Sequence, residues 1–247
     1  MLKSKYPGVQ LIQNQDNVGF AVANNQGAAE ALLAGCDWVL FLNNDTVVDQ
    51  CALEAMMNAA AAASARIVNP LITDLEGNIW FGGSRLSFLG EIHHVHTAPP
   101  NGCLLDIPAA TGCALLTDAE VIAQFGPFDP RYFIYFEDSD LSLKIKQAGG
   151  RIVLEPRARI EHRISSDSTK NAPTGFFYYL NTRNQLLFAH EHLAPWKWLA
   201  FWLSFTVSYV VPRLIGLLLF GRLAKARALM RGYLDFFRGH LGPPRLA

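Results

Sequence analysis

A chain of 247 residues with 51% hydrophobic and 17% charged side chains can bury one good core and a small appendage, and it is richer in apolar residues than an ordinary soluble domain. The formal charge is zero, but from Pro195 onward eight Lys/Arg stand against Asp235 alone, so the tail carries about +7 and the body about −7. Those cations alternate with long apolar runs, which points away from nucleic acid and toward an anionic membrane surface.

Met1 to Gly8 is short and polar and has no signal-peptide character. The cysteines Cys36, Cys51, Cys103 and Cys113 lack C-x-x-C spacing and read as reduced packing residues in a cytosolic compartment. Val9 to Ile12 is a short β-type run. It feeds N-V-G-F-A-V-A-N-N from Asn17, in which Gly19 permits close backbone approach, Asn24 and Asn25 offer amide groups, and Ala28 to Leu33 continues as a helix stopped by Gly35. Turn-plus-helix packing explains that segment as well as ligand binding does. Trp38 to Leu42 follows as a buried strand, so strand, helix and strand make one parallel βαβ unit of an α/β fold. It breaks onto Asn43, Asn44, Asp45 and Thr46. A carboxylate followed by a hydroxyl at the end of a strand either holds a hard divalent cation or caps a following helix.

Asp49 begins an Ala-rich helix, and Arg66 to Ile72 is a further strand. Asp74 to Asn101 is loop-like and carries His93, His94 and His96, which read as a solvated hairpin rather than a zinc site, since no acid or cysteine sits at ligand spacing. Cys103 to Leu116 regains strand character, and Gly112 would let a substrate approach the backbone. In G-P-F-D-P-R-Y-F-I-Y-F-E-D-S-D-L, the aromatics Tyr132, Phe133, Tyr135 and Phe136 anchor a turn that presents Glu137, Asp138 and Asp140 at a helix start. Asp140 reads mainly as a cap, yet three acids in four residues exceed what capping needs, and their crowding raises at least one pKa, as a general base requires. A two-carboxylate hydrolase needs acids facing each other across a sugar, which the adjacent Glu137 and Asp138 do not offer. Arg151 to Leu154 reads as an edge strand, followed by His162; the polar stretch Ser165 to Thr174 reads as a loop. The helix F-F-Y-Y-L-N-T-R-N then offers Tyr178, Arg183 and Asn184 to a cleft.

Trp198 to Val211 is free of charge over fourteen residues, short of a span, and Pro212-Arg213 interrupts it before Leu214 to Phe220. A broken pair of apolar segments is expected, lying at a membrane interface through Trp196, Trp198, Trp202 and Tyr209, with Arg222, Lys225, Arg227 and Arg231 toward anionic headgroups.

Taken together, residues 17 to 25, 40 to 46, 128 to 141, His162 and 178 to 184 resemble the family 2 glycosyltransferases of GT-A fold, most closely the bacterial rhamnosyltransferase-like branch. The resemblance implies a GT-A core over residues 1–190 and a membrane-associating helical segment over 191–247. It also implies a metal-dependent, inverting transfer from a nucleotide-diphospho-sugar to a glycan or lipid-linked acceptor, at the cytoplasmic face of the bacterial inner membrane. By that resemblance Asp138 is the catalytic base, and Asp45 with His162 binds Mg2+ or Mn2+. Asn17, Gly19, Asn24, Asn44 and Asp45 face the donor, while Gly112, Glu137 and Arg183 lie on the acceptor side. The matching motifs begin at about the third strand of the family's pattern, so the first βαβ unit of the nucleotide-binding half is expected to be lacking. The alternative reading is a non-catalytic, membrane-associated fragment of such an enzyme.

Overall fold

The computed structural model describes residues 2–87, 90–163 and 175–245; the polar stretch 165–174 lies outside the described residues. After a short helix α1 (Leu2–Lys5), α2 (Gly19–Leu33) leads to β1 (Trp38–Leu42), β2 (Thr46–Val48), α3 (Ala52–Ala63) and β3 (Ile67–Thr73). Next come the short strands β4 (Ile79–Phe81), β5 (Ser84–Leu86), β6 (Ile92–His94) and β7 (Leu105–Asp106), then β8 (Ala114–Asp118), α4 (Ala119–Phe125), α5 (Glu137–Gln147) and the long β9 (Ile152–His162). The tail is helical: α6 (Phe176–His192), α7 (Pro195–Phe205), α8 (Val211–Leu219) and α9 (Leu223–Phe237).

The strands form a mixed sheet in the order β1-β8-β3-β9-β2, with β4 beside β3 and β7 beside β9. Its centre is the parallel pair β3 and β9, both buried along most of their length, polar Asn69 and Glu155 included. The Ala-rich face of α3 packs close over them, burying Met56, Ala59 and Ala60 in the same core as Ile67, Val68 and Val153. Register slips between Pro70 and Leu71, where Pro70 faces Glu155 and Leu71 faces Arg159. Proline cannot donate to a ladder, and the slip is the bulge that Pro70 and Pro156 force. Arg157 closes it with both its backbone N–H and its guanidinium on the buried Glu155, which holds that carboxyl low.

Several expectations change. Val9 to Ile12 forms no strand: so short a parallel segment gains few ladder bonds, and Val9, Leu11 and Ile12 stay exposed. The anticipated parallel βαβ unit is therefore absent, and β1 pairs antiparallel with β8 instead. With that one neighbour β1 is only half-buried, Phe41 alone being enclosed. The strand expected at an edge, β9, runs eleven residues through the middle of the sheet. Among the cysteines only Cys113 is buried; Cys36, Cys51 and Cys103 are exposed.

The apolar tail also differs. Pro212 does not break it: a π-turn over Thr206–Val210 joins α7 to α8 immediately before Pro212, the kind of i→i+5 irregularity that lets a helix continue past a proline. The result is one helix, Pro195–Leu219, long and apolar enough by length and composition to cross a membrane. One side of it packs on the body: Phe201, Phe205, Val210 and Leu217 form a core with Leu186 and Ala189 of α6 and Ala226 and Leu229 of α9. The other side shows Trp196, Leu199, Leu203, Val207, Val211 and Ile215 to solvent at a spacing of three to four residues.

Helices α6 and α9 touch at Gly232, where an added Cβ would stand 2.2 Å from the Tyr179 carbonyl oxygen. Gly232→Ala, which helix propensity alone would make stabilising, is expected to lower stability by about 1–3 kcal/mol through overpacking, as read by chemical denaturation.

Candidate active site

The site is built on a loop in an unusual backbone conformation. Phe133, Tyr135 and Phe136 all lie in the left-handed region, at φ of 67°, 72° and 76°, which L-residues with large side chains adopt at a cost. Surrounding structure must hold them there. Asn184 spreads its amide N–H groups over the carbonyls of Tyr132, Ile134 and Tyr135 at 2.8–2.9 Å. The guanidinium of Arg183, fully buried, donates to the carbonyls of Arg131, Tyr132 and Gly242 and to the Asn184 side chain. Arg183 and Asn184 therefore clamp the loop from behind, and Arg183 is turned away from the cleft, where it was expected to meet an acceptor.

The opposite side of the loop rests on the start of α2. Gly19 has φ +85°, and a Cβ there would lie 2.5 Å from the Phe133 ring; Ala21 N–H donates to the Phe133 carbonyl at 3.1 Å. Asn17 accepts from Gly19 N–H, Asn24 donates to the Phe20 carbonyl in its own helix, and Asn25 pairs twice with the Phe128 backbone. The N-V-G-F-A-V-A-N-N segment thus docks α2 onto the loop. Of its residues, Phe20 reaches the cleft.

The acids at the start of α5 diverge. Asp138 stands at the cleft, its Oδ2 accepting Gly112 N–H at 2.8 Å and its Oδ1 accepting Ser139 N–H at 2.7 Å and the Ser139 hydroxyl at 3.2 Å. Gly112 is glycine because Asp138 and the Phe20 ring approach its backbone, an added Cβ lying 3.2 Å from Phe20. Ser142 ties the Asp138 carbonyl to Ala110 N–H, and buried Asn69 of β3 holds Thr111 from below, so the carboxylate is supported by rigid sheet. Asp140 is no cap: it is buried, accepting from Lys144 at 2.6 Å and facing His192 at 2.8 Å, and so fastens α5 to α6. Glu137 is the crowded acid. Burial first, then the charges of Asp138 and Asp140, push its carboxyl well above the usual range, and its Oε2 has no hydrogen-bond partner among the described residues.

Asp45 is brought by sheet register beside His162, which lines this cleft. No helix follows it; β2 does, and Thr46 opposite His162 puts Asp45 Oδ1 3.1 Å from His162 Nε2. Thr46 turns its hydroxyl back to the Asn43 carbonyl at 2.7 Å and shapes the turn, leaving Asn43 in the cleft wall and Asn44 exposed outside it. The ring of His162 packs edge-on to Trp80 at 4.9 Å, and its Nδ1 is buried without a partner among the described residues, so its polar engagement there is through Nε2, toward Asp45.

A cleft of about 390 Å³ results, lined by Phe20, Asn43, Trp80, His94, Glu137, Asp138, Asn181 and His162 among others. Cys113 lies in its floor, its thiol pushed up to about 12 by burial and by the charges of Asp45 and Asp138, which keeps it protonated and inert. His93 and His94 sit on the expected hairpin of β5 and β6, yet His94 also enters the cleft wall. The ring stays accessible, yet its partial desolvation beside Trp80 and Phe81 lowers its pKa, partly offset by the charge of Asp138. No signal in the sequence marked His94 or Trp80 as cleft residues, because the chain brings them there from separate hairpins, whereas Asn43 stands in the turn that the sequence singled out.

A carboxylate oxygen and an imidazole nitrogen 3.1 Å apart fit two neighbouring positions around a small divalent cation. No group of three or more His, Cys, Asp or Glu stands together among the described residues.

A sequence profile of the family described as Glycosyltransferase like family 2 matches residues 1–184. Over 224 residues the chain is 26% identical to N-acetylglucosaminyl-diphospho-decaprenol L-rhamnosyltransferase of Mycobacterium tuberculosis, covering 78% of this chain and 71% of that protein. An O-antigen biosynthesis protein of Myxococcus xanthus is 25% identical over 174 residues, 66% of this chain and 13% of its own. Among solved structures, GalNAc-T7 with UDP, GalNAc and Mn2+ superposes with a TM-score of 0.56 at 16% identity, over 84% of this chain and 48% of that one, a likeness of fold. The GT-A expectation holds.

Glu137 carries a pH signature. A carboxyl whose folded pKa is raised contributes stability that is complete below its ordinary value of 4.5 and is lost as pH climbs through the folded value. Glu137→Gln removes that loss. Its stability relative to the unsubstituted chain should therefore rise with pH above 4.5, by at most about 1.4 kcal/mol per pH unit, in urea denaturation at stepped pH.

Proposed function

The chain belongs to the family described as Glycosyltransferase like family 2, and on that premise we propose that it moves a sugar from a nucleotide-diphospho-sugar to a glycan or lipid-linked acceptor, with inversion, at the cytoplasmic face of the bacterial inner membrane. The observation that carries this reading is Asp138, an acid presented at the cleft with each carboxylate oxygen fixed by a backbone N–H. A base so held can take the proton of an acceptor hydroxyl while that oxygen bonds to the anomeric carbon and the bond from that carbon to the diphosphate oxygen breaks. Attack from the face opposite the leaving group inverts the anomeric centre. Asp45 Oδ1 and His162 Nε2 would hold Mg2+ or Mn2+, which when bound supplies Lewis-acid stabilisation to the diphosphate leaving group. Burial of Glu137 beside Asp138 disfavours a second negative charge where an incoming hydroxyl and diphosphate meet the cleft. Support for a lipid-linked acceptor comes from the activity of the mycobacterial relative.

The tail supports a seat on the membrane. The exposed row from Trp196 to Leu219 is an apolar stripe about 35 Å long at about 1.5 Å per residue, on a tail rich in cations. It lies in the plane of the interface rather than across it, because its other side is packed on α6 and α9, whose buried Arg183 and Asp235 would have to enter the bilayer with it.

Asp138→Asn should cut kcat by about 10² to 10⁴ with donor affinity little changed, since general-base loss has that size; turnover that survives it would remove Asp138 from this role. Asp45→Asn should abolish metal-dependent donor binding in calorimetry while the far-ultraviolet dichroism stays unchanged. For the tail, Leu203→Glu, Val207→Glu and Ile215→Glu together should release the protein from sedimenting anionic vesicles without unfolding it, since all three side chains are exposed; an unsubstituted chain that ignores such vesicles would refute the membrane seat.

A further inference from the structure

A second cavity, of about 380 Å³, opens where the π-turn meets α6 and α8, lined by Tyr178, Tyr209, Arg213, Gly216, Phe220 and Arg222 together with neighbours. We infer that it binds the diphosphate of a lipid-linked acceptor, whose hydrocarbon chain lies along the exposed stripe of α7 and α8. The inference rests on the reading of the chain as a transferase with a lipid-linked acceptor and adds the site that holds that acceptor.

The chemistry is anionic. The Arg213 guanidinium lies against the rings of Tyr209 and Tyr178 at 5.1 and 5.8 Å, and Lys225 against Tyr178 at 5.9 Å. Among the described residues no carboxylate pairs with Arg213, Arg222 or Lys225, whereas Arg66, Arg131, Arg151 and Arg157 of the body all have acidic partners. Rings that fix a guanidinium without neutralising it leave its forked N–H donors for a phosphate, the group whose geometry they match. The floor is open at Gly216, where an added Cβ would meet nothing within 4 Å, although alanine would serve a helix better.

Two neighbours fix which anion. Phe220 in the cavity wall and Leu218 and Leu219 just before it in the chain are exposed and apolar, so a ligand seated on the arginines has hydrocarbon contacts beside its charge. Tyr209, in the wall of this cavity, accepts a hydrogen bond from Asn181 at 3.1 Å, and Asn181 lines the catalytic cleft. A sugar joined to a diphosphate in the second cavity is therefore one side-chain pair away from the cleft of Asp138.

The test is titration of the full chain with farnesyl diphosphate below its micellar concentration, read by calorimetry and by fluorescence of the tryptophans on α7. Saturable binding is expected, weakened on the order of 10- to 100-fold by Arg213→Gln with Arg222→Gln, the size of lost charge-assisted hydrogen bonds. Gly216→Leu, which fills the cavity without changing its charge, should weaken it comparably, and farnesol should bind poorly. Absence of saturable binding, or binding indifferent to both sets of variants, overturns the site. Pyrophosphate binding as tightly as farnesyl diphosphate overturns the lipid assignment. Asp138→Asn should leave this titration unchanged, so a failed transferase reading, seen as turnover surviving Asp138→Asn, stays separate from a failed headgroup site.

Discussion

Everything at the cleft depends on holding three bulky residues in a left-handed backbone. Each of Phe133, Tyr135 and Phe136 costs on the order of 1 kcal/mol or more in that conformation. The chain meets the cost from two directions. Arg183 and Asn184 saturate the carbonyls behind the loop, and Gly19 clears room for the Phe133 ring in front. The turn so fixed ends on α5 and aims Asp138 into the cleft, buries Glu137 in its lining and sends Asp140 to α6. The adjacent acids thereby take different jobs: one accepts backbone N–H groups at the open face, one is buried with its carboxyl pKa raised, and one is an ion-pair link between helices.

The Asp45–His162 half of the site obeys a different constraint. Asp45 and His162 are far apart in sequence, and neither is placed by its own local conformation. They meet because β2 pairs with the far end of β9, and that end arrives after the bulge at Pro70 and Pro156. The bulge is closed by an ion pair, Arg157 with Glu155, that touches neither ligand. A site of this kind is set by sheet register, where a slip of one residue would turn His162 to the other face.

These two constraints explain what the sequence disclosed. Motifs confined to one local element were legible: the acid cluster opening α5, the turn after β1, the long α3 and α6, and the family itself through five ordered segments. Burial and partnership were not. Arg183 looks like a cleft cation in a list of residues, and only the approach of a carbonyl-rich loop turns it into a clamp. Asp140 stands where a cap would stand, but His192, fifty-two residues later, claims it. Val9 to Ile12 has β composition and no ladder, while β9 read as an edge because its neighbours β3, β2 and β7 lie far away in the chain. Pro212 reads as a break, since no pattern of residue types announces the π-turn that absorbs it.

That π-turn governs phase. An i→i+5 turn holds one residue more than an α-turn, and one residue rotates everything after it by about 100° around the helix axis. Thr206–Val210 therefore acts as an angular offset between α7 and α8. With it, Arg213 faces Tyr178 and Tyr209 while Leu203, Val207 and Ile215 share the outer surface. In a regular helix of the same composition the cation would swing out of its aromatic slot. Selection can thus retune headgroup recognition by adding or removing a single residue here, while hydrophobicity, net charge and helix content stay almost constant.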